Sequence, residues 1–431
     1  MSEYRASYRK ATIASAVVAL AGLLVLAWLA WTVTNPGRWQ ITVWAAWGVV
    51  ALLVLVGELL TLLVFTGGVV SLRRDTLEQR GVGYARPTPR EQRAGLWATI
   101  LRALGIDRGL RPGELVEVRS FDEIAATLDQ TGKLDGIVFM PEMTAFCGRS
   151  ARVFRRVQKI YDWVQRSGLR RSHGTVLLEG LRCSGASHGG CQAGCQFIWK
   201  EAWLRRAGAR VPSAATRPSA SPDDLKRLSE RTEAGETRYT CQMTDLWRAT
   251  TPLGWNDPRH YLRDLLGGNV RLKPLLLGAS LAAFNYFQRR RGGVRFPVIT
   301  GAAQKSPHAT LNLQPGQLVR IKSKAEIEST LNDQFRNRGL WFDADMLRFC
   351  GGEYRVLERV DHLIEEKSGK MIQIGNPCIV LDGVYATGEY QAFAPLSERI
   401  FWREIWLERV QEKRPAPPQA TPDVAAHSLT A

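Results

Sequence analysis

Residues 111–207 recur at 314–410, at a constant offset of 203 and without a gap. Pro112-Gly113 returns as Pro315-Gly316, Ile124 and Leu128 as Ile327 and Leu331, and Phe146-Cys147-Gly148 as Phe349-Cys350-Gly351. Trp199-Lys-Glu-Ala-Trp203-Leu returns as Trp402-Arg-Glu-Ile-Trp406-Leu. A unit copied this way must bury its own core, and each copy is near the size at which one core supports itself. The chain therefore has to build the same small fold twice.

Local signals inside the unit alternate between strand and helix. Gly113-Glu-Leu115-Val116-Glu-Val118 reads as a strand after a Pro-Gly turn. Ser120-Phe-Asp-Glu123 reads as a helix start, with Ser120 as the cap and Glu123 as its capping-box partner. Ile124 and Leu128 then share one helix face, and Arg152–Val157 and Thr175–Leu178 read as further strands. Several short strands with one helix imply an α+β, mainly β unit. The expected architecture is a transmembrane helical hairpin followed by two tandem small SH3-like barrel modules.

The copies diverge at one place. Cys183-Ser-Gly-Ala-Ser-His188-Gly-Gly-Cys191-Gln-Ala-Gly-Cys195 puts three thiols and an imidazole on a glycine-rich stretch. In the second copy, Ala386, Gln391, Ala394 and Glu398 stand in their places. Thiols found in one copy only point to function rather than folding. Zinc takes four ligands in a tetrahedron, largely thiolates. The expected set is Cys183, Cys191, Cys195 and Cys147, with His188 or Cys241 as alternative fourth ligands. An iron–sulfur cluster is the alternative cofactor, although the spacing matches no standard run. Cys147 is retained as Cys350, so a buried small hydrophobe competes with ligation there. Trp199, Trp203, Glu201 and their counterparts persist without the cysteines, which marks them as structural. Cys378 reads as a thiol buried in a strand.

Residues 11–34 carry no charge and 41–70 carry only Glu58. Each is long enough for a spanning helix, which needs roughly 20 apolar residues. Arginines and a lysine flank the pair (Arg5, Arg9, Lys10, then Arg73 and Arg74 onward), and the turn between holds only Arg38. The positive-inside rule then predicts an inner-membrane protein with both termini cytoplasmic. Cytosolic thiols stay reduced, which favours metal or redox chemistry over disulfides. Glu58 reads as a carboxyl holding helices together, between protomers of a homo-oligomer.

The net charge of +17 is spread along the chain. It points to anionic lipid of the inner leaflet, with nucleic acid as a second candidate that no recognition module accompanies. The expected segments are 1–71, hairpin; 72–110, basic juxtamembrane segment; 111–206, cysteine-rich repeat; 207–235, disordered linker; 236–313, inter-repeat segment; 314–410, second repeat; and 411–431, disordered tail. Pro274–Phe287 is too short to span comfortably and reads as a core or an interfacial helix. No phosphate loop, nucleophile elbow or His-Glu-x-x-His helix occurs.

Phe-Met-Pro-Glu-Met (139–143), Phe-Cys-Gly (146–148), Leu-Glu-Gly-Leu-Arg-Cys (178–183), the His188–Cys195 run and Trp-Lys-Glu-Ala-Trp-Leu (199–204) together resemble an uncharacterised bacterial family with this cysteine-rich module. The resemblance covers roughly 111–300 and includes Cys241-Gln242. It carries over no reaction. It implies service to a bacterial biosynthetic complex, through a protein partner. The sequence reading is thus a membrane-anchored cytoplasmic binding or scaffold protein with a zinc site. The alternatives are an iron–sulfur or metal-dependent enzyme and a nucleic-acid-binding protein.

Overall fold

Hydrophobic alternation in the first repeat resolves into nine strands: β1 (Leu115–Val118), β2 (Lys133–Leu134), β3 (Ile137–Val138), β4 (Ser150–Arg156), β5 (Lys159–Asp162), β6 (Gly168–Arg171), β7 (Thr175–Arg182), β8 (Gln196–Lys200) and β9 (Leu204–Arg206). The computed structural model describes residues 109–208, 221–293, 296–297 and 299–411. Five strands form an antiparallel sheet in the order β8-β7-β4-β1-β9. Register shifts between β4 and β7, and between β7 and β8, curl it into a half-barrel. Between β1 and β4 lies helix α1 (Phe121–Ala125). It starts at the expected capping box: Ser120 Oγ accepts from Glu123 N, and Glu123 returns a bond to Ser120 N. A 3-10 helix follows at Pro141–Phe146.

An inter-repeat segment comes next, with helix α2 (Pro222–Ser229), hairpin β10 (Glu230–Glu233) and β11 (Glu236–Tyr239), helix α3 (Gln242–Asp245), strand β12 (Thr251–Pro252), and helices α4 (Pro258–Gly267) and α5 (Leu272–Arg290). The expected unstructured linker 207–235 is therefore shorter, because 222–233 is helix and strand. Ser221 caps α2 with Asp224, Pro222 fits the first turn, and Leu225 is buried. Polar composition hid one good cap and one anchor. Helix α4 is held to the first repeat by Lys159, which is fully buried and meets Asp264 at 2.6 Å and His260 Nδ1 at 3.1 Å.

The second repeat is built from β13 (Leu318–Ile321), α6 (Lys324–Glu328), β14 (Arg336–Asn337), β15 (Leu340–Trp341), β16 (Glu353–Ile364), β17 (Met371–Tyr385), β18 (Arg399–Trp402) and β19 (Leu407–Arg409). Its sheet order, β18-β17-β16-β13-β19, repeats the first strand for strand. The register repeats too: Val116 faces Ala151, and Val319 faces Tyr354. Each repeat ends with a 3-10 turn before its last strand, at Glu201–Trp203 and Glu404–Trp406. Trp199 lies on β8 and Trp203 in the 3-10 turn.

All four conserved tryptophans are fully buried. Trp203 Nε1 donates to Thr127 Oγ1 at 3.1 Å, and Trp406 Nε1 to Thr330 Oγ1 at 2.9 Å. Phe139 meets Trp203 edge-on at 5.1 Å, as Phe342 meets Trp406 at 5.4 Å. Glu201 and Glu404 are structural, accepting from Leu110 N and Leu313 N. Cys378 is buried in β17, as expected.

Among the described residues, no helix is long and apolar enough to cross a membrane. The two expected spans, Glu58 and the flanking arginines lie outside the described residues, as does all but the first residue of the expected tail.

Candidate metal centre

The cysteine stretch is the loop between β7 and β8, and its backbone has the same form in both repeats. Cys183 N donates to Cys195 O at 2.8 Å, as Ala386 N does to Glu398 O at 2.9 Å. His188 N donates to Gly185 O, as Gln391 N does to Gly388 O, both at 3.0 Å. Gly185, at φ +77, packs so closely on the Cys191 backbone that a Cβ would lie 2.2 Å from its carbonyl oxygen. Gly388 meets Ala394 in the same way. The loop thus takes this shape with or without thiols.

Among the described residues, metal-donor side chains converge at this loop in the first repeat. Glu142, from the 3-10 helix, brings a carboxylate beneath the loop. His188, 2% exposed, lies between it and Cys183: Nδ1 is 3.2 Å from Glu142 Oε1, and Nε2 is 3.4 Å from Cys183 Sγ. An ionised carboxylate only accepts, so it fixes the proton on Nδ1 and turns the Nε2 lone pair toward the sulfur. Ser187 adds its backbone N–H to Glu142 Oε1 at 2.9 Å. Burial works to push Glu142 up, but the His188 and Ser187 bonds prevail and hold it down at about 2. Its other oxygen, Oε2, is buried without a hydrogen-bond partner. Among the described residues, Glu142, Cys183 and His188 are the three-residue group whose donor atoms lie within 4.8 Å of one another.

The remaining thiols gather around this group. All seven cysteines are free. Burial pushes Cys183 up to about 12, helped by the charge of Glu142 and by Cys241 and Cys191, against the Gly185 N–H donated to its sulfur. Burial raises Cys195 well above the ordinary thiol range, with Cys241, Glu366, Cys183 and Cys191 adding to it. Burial also raises Cys241 to about 11, with Cys191 and Glu366 contributing. Cys191 and Cys241 thus both act on Cys183 and on Cys195. Cys147 stands apart at the end of the 3-10 helix, packed against the core and raised to about 11 by burial with no thiolate contributing.

No protein-family model, curated protein or solved structure matches the chain.

The second repeat covers the loop. Gln192 Nε2 donates to Arg359 O at 3.0 Å, and its Oε1 accepts from Asp361 N and His362 N at 2.9 and 3.2 Å. His362 Nε2 lies 2.9 Å from Gly190 O. Arg182 donates to Ser397 O at 2.7 Å and stacks over Tyr385. Glycine suits the loop under this cover: a Cβ would lie 2.2 Å from Arg399 Nε at Gly194, φ +58, and at Gly189, φ +70, 2.6 Å from the Tyr239 hydroxyl of the inter-repeat segment and 2.9 Å from Met371 Cε.

Glu142, Gln192 and Arg348 escaped the sequence reading. Glu142 aligns with Asp345, so a carboxylate stands at this position in both copies. The informative signal was its neighbour. Arg348 binds Asp345 at 3.1 Å and Glu389 at 3.0 Å, whereas Ala145 occupies the matching position in the first repeat.

Proposed function

We propose that the first repeat holds a structural metal ion, zinc, and that the chain is a membrane-anchored binding or scaffold protein presenting this metal-stiffened module to a partner in a biosynthetic complex. The observation that carries the metal reading is the missing cation. In the second repeat Arg348 neutralises the buried carboxylate; in the first, among the described residues, only the His188 imidazole pairs with Glu142, and one carboxylate oxygen is left unpartnered. A buried charge needs a counter-charge, and the side chains around Glu142 are metal donors.

The spacing fits. Two ligands with bonds of roughly 2.0–2.3 Å on a tetrahedral ion stand about 3.5 Å apart, and Cys183 Sγ and His188 Nε2 are 3.4 Å apart. Glu142 on Nδ1 would then orient and strengthen the imidazole, as carboxylates behind metal-bound histidines do. Of the candidates for the remaining positions, Cys191 and Cys241 lie close enough to act on both Cys183 and Cys195, and Cys147 does not, which favours Cys241 over Cys147. A Cys–His–Glu nucleophile fits less well, because a thiol raised to about 12 is the reverse of an activated one.

The sheet order and the 3-10 turn before the closing strand support SH3-like modules. The apolar segments 11–34 and 41–70 support an anchor in the inner membrane.

A second reading, an iron–sulfur cluster, draws on the spread of the thiols. No three of the four coupled sulfurs fall in a group as tight as 4.8 Å, which suits a multi-atom cluster better than one ion. Elemental analysis of the full chain purified without oxygen separates the readings. One zinc per chain, lost in Cys183→Ser and in His188→Ala, supports the proposal. Iron with sulfide and visible colour selects the cluster, and metal-free protein overturns both.

A further inference from the structure

We infer that helix α5 is a lipid-binding surface, lying along an anionic bilayer with its apolar face in the headgroup boundary. This inference goes beyond the metal reading and does not depend on it. A surface helix normally turns its apolar stripe inward and a polar face outward; α5 is apolar all round and leaves part of that surface exposed. At about 100° per residue, Leu272, Leu276, Ala279, Tyr286, Phe287 and Arg290 share one side. That side faces out: Leu272 is 55% exposed and Phe287 59%. The opposite side, with Leu277, Gly278, Leu281 and Asn285, is half-buried against the protein. Gly278 lies against Phe393, so that a Cβ would sit 2.6 Å from its ring, and Asn285 bonds the Phe296 backbone in both directions at 2.7 and 2.8 Å. Trp255 and Leu262, just before α5, are also exposed.

Charge selects the occupant. Between Pro258 and Arg291 the only acidic residue is Asp264, which is buried against Lys159. Arg263, Arg271, Lys273, Arg289, Arg290 and Arg291 therefore give the ridge cations near both ends. A second copy laid on this face would bring cations against cations, whereas anionic headgroups would meet them while Leu276 and Phe287 enter the acyl boundary. Arg290 already reaches back over Tyr286, its guanidinium 5.2 Å from the ring centre, an apolar stem carrying a polar tip.

The test uses the full chain with the photo-reactive residue benzoylphenylalanine in place of Leu276, in phosphatidylcholine vesicles with or without phosphatidylglycerol. Thr232, on the exposed β10–β11 hairpin, is the control position. The expected result is a lipid adduct at 276 and none at 232, with yield several-fold higher when phosphatidylglycerol is present. Combined Arg289→Gln, Arg290→Gln and Arg291→Gln should remove most of that gain, since each basic residue at such a surface is worth roughly fivefold in binding. An adduct to a second copy or to another segment of the chain, or equal yields at 276 and 232, overturns the assignment. Yield indifferent to phosphatidylglycerol overturns the choice of anionic lipid.

Discussion

The backbone N–H of Ile364 donates to the sulfur of Cys191 across 3.4 Å, although the two residues belong to different repeats. The copy that lacks the thiols thus supplies a donor to a thiol of the copy that has them. Backbone donors to a metal-bound sulfur stabilise its negative charge and orient it. Duplication here yields one module that carries the site and one that covers it.

Arg348→Ala should destabilise the second repeat by about 3 kcal/mol, because the buried Asp345 carboxylate keeps its bonds from Thr387 and Gly388 but loses its counter-charge. Denaturant unfolding of the full chain measures it. The converse, Ala145→Arg, places a cation where the first repeat has none; position 145 is exposed and has room. It should lower metal content while preserving the fold, measured by elemental analysis alongside circular dichroism. Undiminished metal would contradict the counter-charge argument.

Gln192→Ala deletes three bonds to Arg359, Asp361 and His362. The expected loss is about 1–3 kcal/mol, since the stranded groups are partly solvated. Hydrogen exchange should quicken at residues 361–362 and stay unchanged at the Trp406 turn. A uniform change across both repeats would mean that the contact does not act locally.

Glu366 is pushed up to about 7 by burial, then by Glu398 and Asp162. The folded state binds this proton more tightly than the unfolded chain, whose value is near 4.5. Its contribution is therefore complete below about 4.5 and is lost as pH rises through about 7. Metal-free protein should have a higher denaturation midpoint at pH about 5 than at about 8, and Glu366→Gln should reduce that difference. An identical pH profile in the variant would show that Glu366 does not titrate in this window.

Glu142 has the opposite sign. Held down at about 2, it contributes stability above about 4.5 that disappears as pH falls through about 2. Glu142→Gln should flatten the acid limb of the unfolding profile and weaken metal retention. Retention equal to wild type would remove Glu142 from the site.

The sequence alone determined the repeat, the capped helix at Ser120, the strands at Leu115–Val118, Ser150–Arg156 and Thr175–Arg182, and the special status of the Cys183–Cys195 loop. These rest on local chemistry: a cap and its partner are three residues apart, strand alternation has period two, and a 203-residue offset survives in plain text. Only the tertiary structure decided which groups meet. Glu142 reaches His188 from 46 positions away, the Cys241 thiol joins the loop cysteines from another segment, and Gln192 meets His362 across the two repeats. It also decided which apolar residues of α5 stay exposed, because a helix that is apolar all round does not say which side faces out. Long-range pairing depends on how the sheets curl and stack, and that information is not carried by neighbours along the chain.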